Sequence, residues 1–286
     1  MWTSSRNTSD GQNTLAEHKL KIGKIPYANL FPIFYMLEKE CDCSGYEFIE
    51  GVPSNVNRML RDGKVDISSS SSIEYLRNRD KYAFIEGHSI SSIGPVGSII
   101  LFSRKPIEAL DVHTILTSSQ SATSVALLDI LLTKYLKIKG NLKSAKLTHC
   151  SVPSDVEAYL LIGDDALKAV KYYRTRTVKE PFFIYDLGEL WHKYTGLPFT
   201  FALWIYKKDC GKEKMDLIEK FKDDLNKAKK LALNNLKEIA SKAPLRDVLT
   251  EEELIAYWKN VSYAFGEKHK KGFELFRKLA EELGLI

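Results

Sequence analysis

Few cysteines and no long apolar run are found in this sequence, and both absences exclude classes of protein. Of the four cysteines only Cys41 and Cys43 lie close together, and no second pair or nearby histidine completes a zinc site with them. No stretch reaches the roughly 18 apolar residues that a membrane-spanning helix needs. We therefore expect reduced thiols in a cytoplasmic protein that binds no metal and does not cross a membrane.

The charge balance is only mildly basic, and the N-terminus is polar. Lysine and arginine number 42 against 37 aspartate and glutamate residues, a formal net charge of +5. No dense basic stripe of the kind that follows a nucleic-acid backbone is present, so we expect a small anionic ligand rather than nucleic acid. Residues 1–18 lack the apolar segment of a secretory signal, and their composition predicts a disordered leader.

Motifs that signal common cofactor and hydrolase chemistry are also missing. The sequence contains no G-x-G-x-x-G, no Walker-type lysine loop, no H-E-x-x-H and no G-x-S-x-G. No pair of carboxylates is evidently placed for glycoside hydrolysis. Without such a motif, the residues alone leave a binding protein and an enzyme equally open.

The first part of the chain alternates between strand and helix patterns. Strand patterns at residues 20–25, 46–51 and 65–69 are separated by helix patterns that begin near Pro32 and Ser54. This order is typical of a parallel sheet with crossover helices, so an α/β fold is predicted.

A second α/β unit is predicted after residue 105, where these patterns start afresh. Long apolar strands near 98–105 and 198–206 would join the two units as a hinge. We expect two lobes with a ligand cleft between them: residues 19–104 together with the helical segment 200–286, and residues 105–199. Several aromatic residues of the C-terminal part are predicted to be core, namely Tyr257, Trp258, Tyr263 and Phe265.

Two hydroxyl-rich turns stand at predicted helix N-termini. The serine run 68–72 leads into one helix, and residues 118–124 lead into an apolar helix with Ser121 or Thr123 as its cap. Such N-termini present unpaired N–H groups and the positive end of the helix dipole, which suit a small anion. Each contact contributes about 0.3–2 kcal/mol, whereas a millimolar to micromolar ligand needs about 4–8 kcal/mol. Several contacts would therefore be required, and simple helix capping stays open as the alternative.

A polar segment with several glycines, residues 87–98, lies between these turns. Its glycines allow a tight backbone path close to a ligand, and Ser98 stands where the next strand begins. We predict a loop here, with His88 as a loop histidine rather than a catalytic base. Asn29, in an earlier strand-to-helix turn, either faces a crevice or caps the helix.

Six motifs in order resemble the chorismate dehydratase family. They are K-I-G-x-I-x-Y-x-N-x-x-P (21–32), V-D-I-S-S-x-S-S-I-E-Y (65–75), G-P-V-x-S-x-x-L-F-S-R (94–104), T-S-V-A-L-L (123–128), L-I-G-D-x-A-L (161–167) and D-L-G-x-L-W-x-x-x-T-G-L-P-F-x-F-A-L-W (186–204). The likeness runs over nearly the whole chain from about Lys19. The related dihydroxynaphthoate synthases share the fold but open with a different motif after the first strand.

This resemblance implies a periplasmic-binding-protein type II fold, used in the cytoplasm as a lyase without cofactor. The family removes water from chorismate to give 3-[(1-carboxyvinyl)oxy]benzoate on the futalosine route to menaquinone. By position, the resemblance implies Asn29 and Ser98 as catalytic residues. The substrate-binding positions that it implies are Tyr27, Ser69, Ser70, Ser71, Gly97, Ser119, Ser121, Thr123, Ser124 and Asp164.

Some positions depart from the family pattern, and alternatives remain. Many members carry an acidic residue where this chain has Ile93, and the turn 118–124 has no glycine where others do. Two other functions stay open: a dihydroxynaphthoate synthase-like enzyme, for which His88 is the one weak candidate base, and a non-catalytic solute-binding protein. Asp164 is equally well explained as a helix-start acid. The sequence leaves monomer and homodimer both open.

Overall fold

Two β-sheets form the framework of the computed structural model, which describes residues 19–151, 156–175 and 182–286. The strands are β1 (Leu20–Lys24), β2 (Tyr46–Glu50), β3 (Ile67–Ser71), β4 (Tyr82–Ser92), β5 (Ile99–Ser103), β6 (Thr114–Ser118), β7 (Asn141–Ala145), β8 (Ala158–Ile162), β9 (Phe183–Asp186), β10 (Phe199–Lys207) and β11 (Val261–Phe265). The first sheet has the order β11-β4-β10-β3-β1-β2 and the second the order β7-β6-β8-β5-β9. The predicted leader, residues 1–18, lies outside the described residues.

Helices connect and cover these strands. They are α1 (Phe31–Glu40), α2 (Pro53–Arg61), α3 (Ser72–Arg77), α4 (Ala122–Ile130), α5 (Gly163–Thr175), α6 (Leu187–Thr195), α7 (Lys212–Asn234), α8 (Leu236–Ala240), α9 (Glu251–Asn260) and α10 (Glu267–Glu282). α9 begins with a capping box, in which Thr250 and Glu253 each accept the other's backbone N–H. Within the described residues, no helix is both long enough and apolar enough to cross a bilayer.

The predicted parallel pairing of the first three strands is confirmed. β1 is parallel to both β2 and β3. β3, however, continues to Ser71, so most of the serine run is strand rather than turn. β1 and β3 lie close together at Gly23, because a Cβ at that position would lie 2.9 Å from the Cβ of Ser68.

The loop predicted over residues 87–98 is wrong for 87–92, which belong to the long strand β4. β4 lies between β10 and β11 and is antiparallel to both. Its serines are buried because their hydroxyls find partners inside the sheet: Ser89 donates to the Ala264 carbonyl and Ser91 to Thr200. A polar run can therefore form an internal strand, which the polarity of the sequence does not reveal.

The chain passes from the first sheet to the second within residues 93–98. β5 is antiparallel to β8 and β9 of the second sheet, whereas the division predicted from the sequence put residues up to 104 in the first lobe. An apolar pattern identifies a buried strand but does not identify its partners. The chain returns after α6, which ends at Gly196 in the left-handed conformation (φ 68°).

His88 makes the stability of the first sheet sensitive to acid. It lies on β4, is 2% exposed, and its Nε2 is 2.8 Å from Oδ1 of Asn226 on α7. Burial, with a smaller contribution from the charge of Lys229, lowers the pKa of His88 from 6.5 to about 4. Between these values the unfolded chain binds a proton that the folded chain does not, so stability is present above pH 6.5 and is lost as pH falls toward 4.

We predict that His88→Gln flattens this pH dependence. Between pH 6.5 and 4 the free energy of unfolding of the wild type should fall by up to about 3 kcal/mol more than that of the variant. Urea denaturation at several pH values measures both slopes. Equal slopes would show that His88 titrates normally in the folded protein.

Candidate functional site

A cavity of about 80 Å³ lies between the two sheets. Its polar lining comes from the strand-to-helix turn after β1, the end of β3, the start of β5 and the start of α4. The polar lining residues are Tyr27, Asn29, Ser69, Ser71, Ser98, Ser121, Thr123 and Ser124. Apolar side chains complete the walls, and they include Ile25, Leu30, Ile90, Val96, Ile99, Ile162 and Phe201. Both hydroxyl-rich turns predicted from the sequence thus reach one cavity.

Four of the predicted site residues do not line this cavity. Ser70 is fully buried, and it points to the opposite face of β3 from Ser69 because side chains alternate along a strand. Ser119 lies in a separate groove outside α4. Gly97 packs against the ring of an aromatic residue on α9. The carboxylate of Asp164 accepts a backbone N–H instead of facing the cavity.

The turn that carries Asn29 is held from three directions. The backbone N–H of Ala28 donates to Oδ1 of Asp164 at 2.9 Å, and the Ala28 carbonyl accepts from Nε1 of Trp258 at 2.8 Å. The Asn29 carbonyl accepts from the hydroxyl of Tyr263 at 2.7 Å. These bonds fix the backbone on both sides of the Asn29 side chain.

The Asn29 side chain itself is left unpaired. Its Oδ1 is buried without a hydrogen-bond partner among the described residues. The alternative that Asn29 caps α1 is wrong, because the N-cap is Leu30 and no side chain caps that helix. Ser69 Oγ, also at the cavity, is buried and unpaired as well. An unpaired buried polar group costs about 1–3 kcal/mol; the hydroxyls of Ser68 and Ser70, which do not line the cavity, are unpaired as well.

Ser98 stands at the end of the segment that crosses between the sheets. Its carbonyl accepts the N–H of Gly163 at 2.7 Å, and its Oγ accepts from the hydroxyl of Tyr257 at 3.0 Å. Sequence analysis assigned Tyr257, Trp258 and Tyr263 only to the core. They are buried as predicted, but their polar atoms also bond to the two segments that carry Asn29 and Ser98.

Asp186 was missed by the sequence analysis, and it holds the crossing segment in place. Its carboxylate caps α6 by accepting the N–H groups of Gly188 and Glu189, and it also accepts those of Val96 and Gly97. Burial raises the pKa of Asp186, and the four N–H donors oppose this rise. The sequence does signal the helix cap, because an aspartate stands directly before a helix pattern. It does not signal the second set of partners, which lie about 90 residues earlier in the chain.

Hydrogen bonds across the cleft join the two lobes. The hydroxyl of Tyr27 donates to Oε1 of Gln120 at 2.7 Å, and Oγ1 of Thr123 accepts the N–H of Ile73 at 3.0 Å. At the start of α4, Ser121 caps the helix as predicted by accepting the Ser124 N–H. The turn before α4 therefore bonds to the first lobe, at Tyr27 and at Ile73.

No carboxylate, ammonium, guanidinium or imidazole group lines the cavity among the residues that the structure describes. The phenol of Tyr27 is neutral, because burial and the nearby charges of Asp164 and Asp165 raise its pKa. His88, the candidate base, is on β4 beside Asn226 and is not a lining residue. In the described ranges, no group of three or more metal-binding side chains is gathered either. The cavity can hold a ligand through neutral hydrogen bonds and apolar contact.

Solved structures share this architecture. Protein AF1704 from Archaeoglobus fulgidus superposes with a TM-score of 0.76 at 18% sequence identity, covering 94% of this chain and 99% of that one. The periplasmic aliphatic sulphonate-binding protein SsuA from Escherichia coli superposes with a TM-score of 0.65 at 14% identity, covering 94% and 88% of the two chains. The predicted periplasmic-binding-protein-like fold is confirmed.

Similar sequences have a consistent name. A chorismate dehydratase from Thermus thermophilus is 30% identical over 279 residues, covering 92% of this chain and 95% of that protein. A chorismate dehydratase from Campylobacter jejuni is 29% identical over 269 residues, covering 92% and 98%. The resemblance seen in the motifs is thus confirmed over nearly the full length. A family model described as menaquinone biosynthesis matches residues 20–282, and the chain therefore belongs to this menaquinone biosynthesis family.

Proposed function

We propose that this protein is a chorismate dehydratase, a hydro-lyase that forms 3-[(1-carboxyvinyl)oxy]benzoate and water on the futalosine route to menaquinone, and that it acts in the cytoplasm. The observation that carries the proposal is the cavity between the sheets, where the buried Oδ1 of Asn29 has no partner among the described residues and Ser98 is also a lining residue. The names of the two bacterial relatives support this choice of substrate.

The reaction suits a site without ionisable side chains. Loss of the C3 proton and the C4 hydroxyl makes the chorismate ring aromatic, so the driving force resides in the substrate. The ring carboxylate is conjugated with the diene and acidifies the C3 proton. The protein must then hold the ring in one orientation and stabilise charge as it develops, which aligned neutral hydrogen-bonding groups can do.

Each step can be assigned to a group. Because no described lining residue is a carboxylate or imidazole, the substrate's own enolpyruvyl carboxylate takes the C3 proton. The electron pair of the C–H bond becomes the new ring double bond, and the C4–O bond breaks with its electrons on oxygen. That oxygen leaves as water with the proton taken from C3. Asn29 Oδ1 accepts a hydrogen bond from the substrate, and Ser98 assists the departing oxygen.

Binding of the two substrate carboxylates is assigned to donors rather than cations. The N-terminus of α4 reaches the cavity through Ser121 and Ser124, where the helix dipole favours an anion. Ser69 offers a further unpaired hydroxyl. Ile93 stands where the family pattern has an acidic residue. It is 60% exposed and does not line the cavity, so this difference from the family leaves the cavity walls unchanged.

We predict that the purified protein converts chorismate with neither added metal nor added nucleotide. Mass spectrometry should show loss of chorismate and the appearance of 3-[(1-carboxyvinyl)oxy]benzoate, with the same rate after treatment with a chelator. A folded protein that binds chorismate but leaves it unchanged would point instead to a solute-binding protein. Absence of both binding and turnover would favour a dihydroxynaphthoate synthase-like enzyme with a different substrate.

Replacement of Asn29 by Ala should remove a transition-state contact and leave binding largely intact. We expect kcat to fall by roughly 100-fold or more, as for loss of one catalytic hydrogen-bonding group, and KM to change by less than about threefold. Asn141→Ala is a matched control, since Asn141 bonds to Thr114 on β6, at the outer edge of the second sheet. An unchanged kcat for Asn29→Ala would remove its assigned role.

A substrate-derived base predicts a flat pH profile. Because no imidazole lines the described cavity and the pKa of Tyr27 is raised, kcat should vary by less than about twofold between about pH 6 and 9. Steady-state rates across this range test the expectation. A limb with a midpoint near that of a free histidine, about 6.5, would indicate a protein base.

A further inference from the structure

The hydroxyl of Tyr257 lies against Ser98 inside the protein. The two oxygens are 3.0 Å apart, and the residues are 5% and 2% exposed. Tyr257 comes from α9, and its ring packs directly on the crossing segment: a Cβ on Gly97 would lie 3.2 Å from Cδ2 of the ring. Glycine at this position, with a φ of +79°, lets the ring approach the backbone next to Ser98.

This contact has a defined direction. Burial, together with the nearby charges of Asp164 and Asp186, raises the pKa of Tyr257, so its phenol keeps the proton that it donates to Ser98. Ser98 Oγ then acts as acceptor in this bond, and its own proton needs another partner. Among the described residues Oγ of Ser98 has no acceptor, and Ser98 lines the cavity. The Ser98 proton is therefore directed toward a ligand.

We propose that Tyr257 is a positioning residue, whose hydroxyl holds Ser98 with its proton facing the departing C4 oxygen of chorismate. The inference rests on the proposed function. Ser98 keeps its proton throughout: it donates a hydrogen bond while the C4–O bond breaks, and the proton from C3 completes the water. A donor that itself accepts a hydrogen bond is strengthened by polarisation, which aids oxygen departure.

A purely structural role would not require the hydroxyl. Phenylalanine would fill the same apolar space, whereas a buried hydroxyl costs free energy unless it is bonded. The neighbouring Trp258 and Tyr263 use their polar atoms in the same manner, on the backbone of Ala28 and Asn29. The segment from the end of α9 into β11 thus sets the position of both proposed catalytic residues.

The test is a set of four variants assayed with chorismate: Tyr257→Phe, Ser98→Ala, the double variant, and Tyr159→Phe as control. Tyr159 is a buried phenol whose hydroxyl bonds to Tyr173 in the second lobe, 3.0 Å away. We expect Tyr257→Phe to lower kcat by about 10- to 100-fold with KM within about threefold, and Tyr159→Phe to stay within about twofold of wild type. In the Ser98→Ala background, Tyr257→Phe should cause no further loss, because it acts through Ser98.

Thermal melts of every variant establish that each remains folded. The Tyr→Phe variants keep the aromatic ring, which favours a folded protein. An unchanged kcat for Tyr257→Phe, or an equal loss in the wild-type and Ser98→Ala backgrounds, would overturn the inference while the proposed function stands. Failure of the folded wild type to convert chorismate would overturn the proposed function and this inference with it. The two failures are therefore distinguished by the wild-type assay alone.

Discussion

The buried carboxylate of Asp186 fixes the segment that connects the two sheets. Asp186 accepts N–H groups from the crossing segment at Val96 and Gly97 while it caps α6, so the end of the first sheet and the start of a second-lobe helix share one acceptor. Four donors offset much of the cost of burying the charge. Ser98 follows directly after this anchor, which gives its hydroxyl a defined place relative to both sheets.

The described cavity relies on orientation rather than on charge. Its polar groups are an amide and several hydroxyls, each fixed through backbone bonds made by neighbours such as Tyr263 and Thr123. Burying neutral groups costs less free energy than burying charged ones. An arrangement of this kind stabilises developing charge because the donors are already aligned before the reaction starts.

How far the sequence predicts this molecule differs from element to element. The parallel strands β1 to β3 and the caps Ser121 and Thr250 follow from local patterns, because periodicity and cap chemistry act over a few residues. The inclusion of residues 87–92 in β4 cannot be predicted from local patterns, because it depends on hydroxyl partners in distant strands. For Tyr257 the pattern indicates burial but says nothing of what its hydroxyl contacts, because that partner lies 159 residues away. The hydroxyl-rich turns predicted from the sequence do line one cavity, and their catalytic roles remain proposals.

The hydrogen bonds between the two lobes also affect how a ligand exchanges with solvent. Tyr27 with Gln120, and Ile73 with Thr123, join the two lobes, so any separation of the lobes must break these bonds. Mutations that remove these bonds would lower the cost of separating the lobes, and with it the barrier to any ligand exchange that needs such a movement.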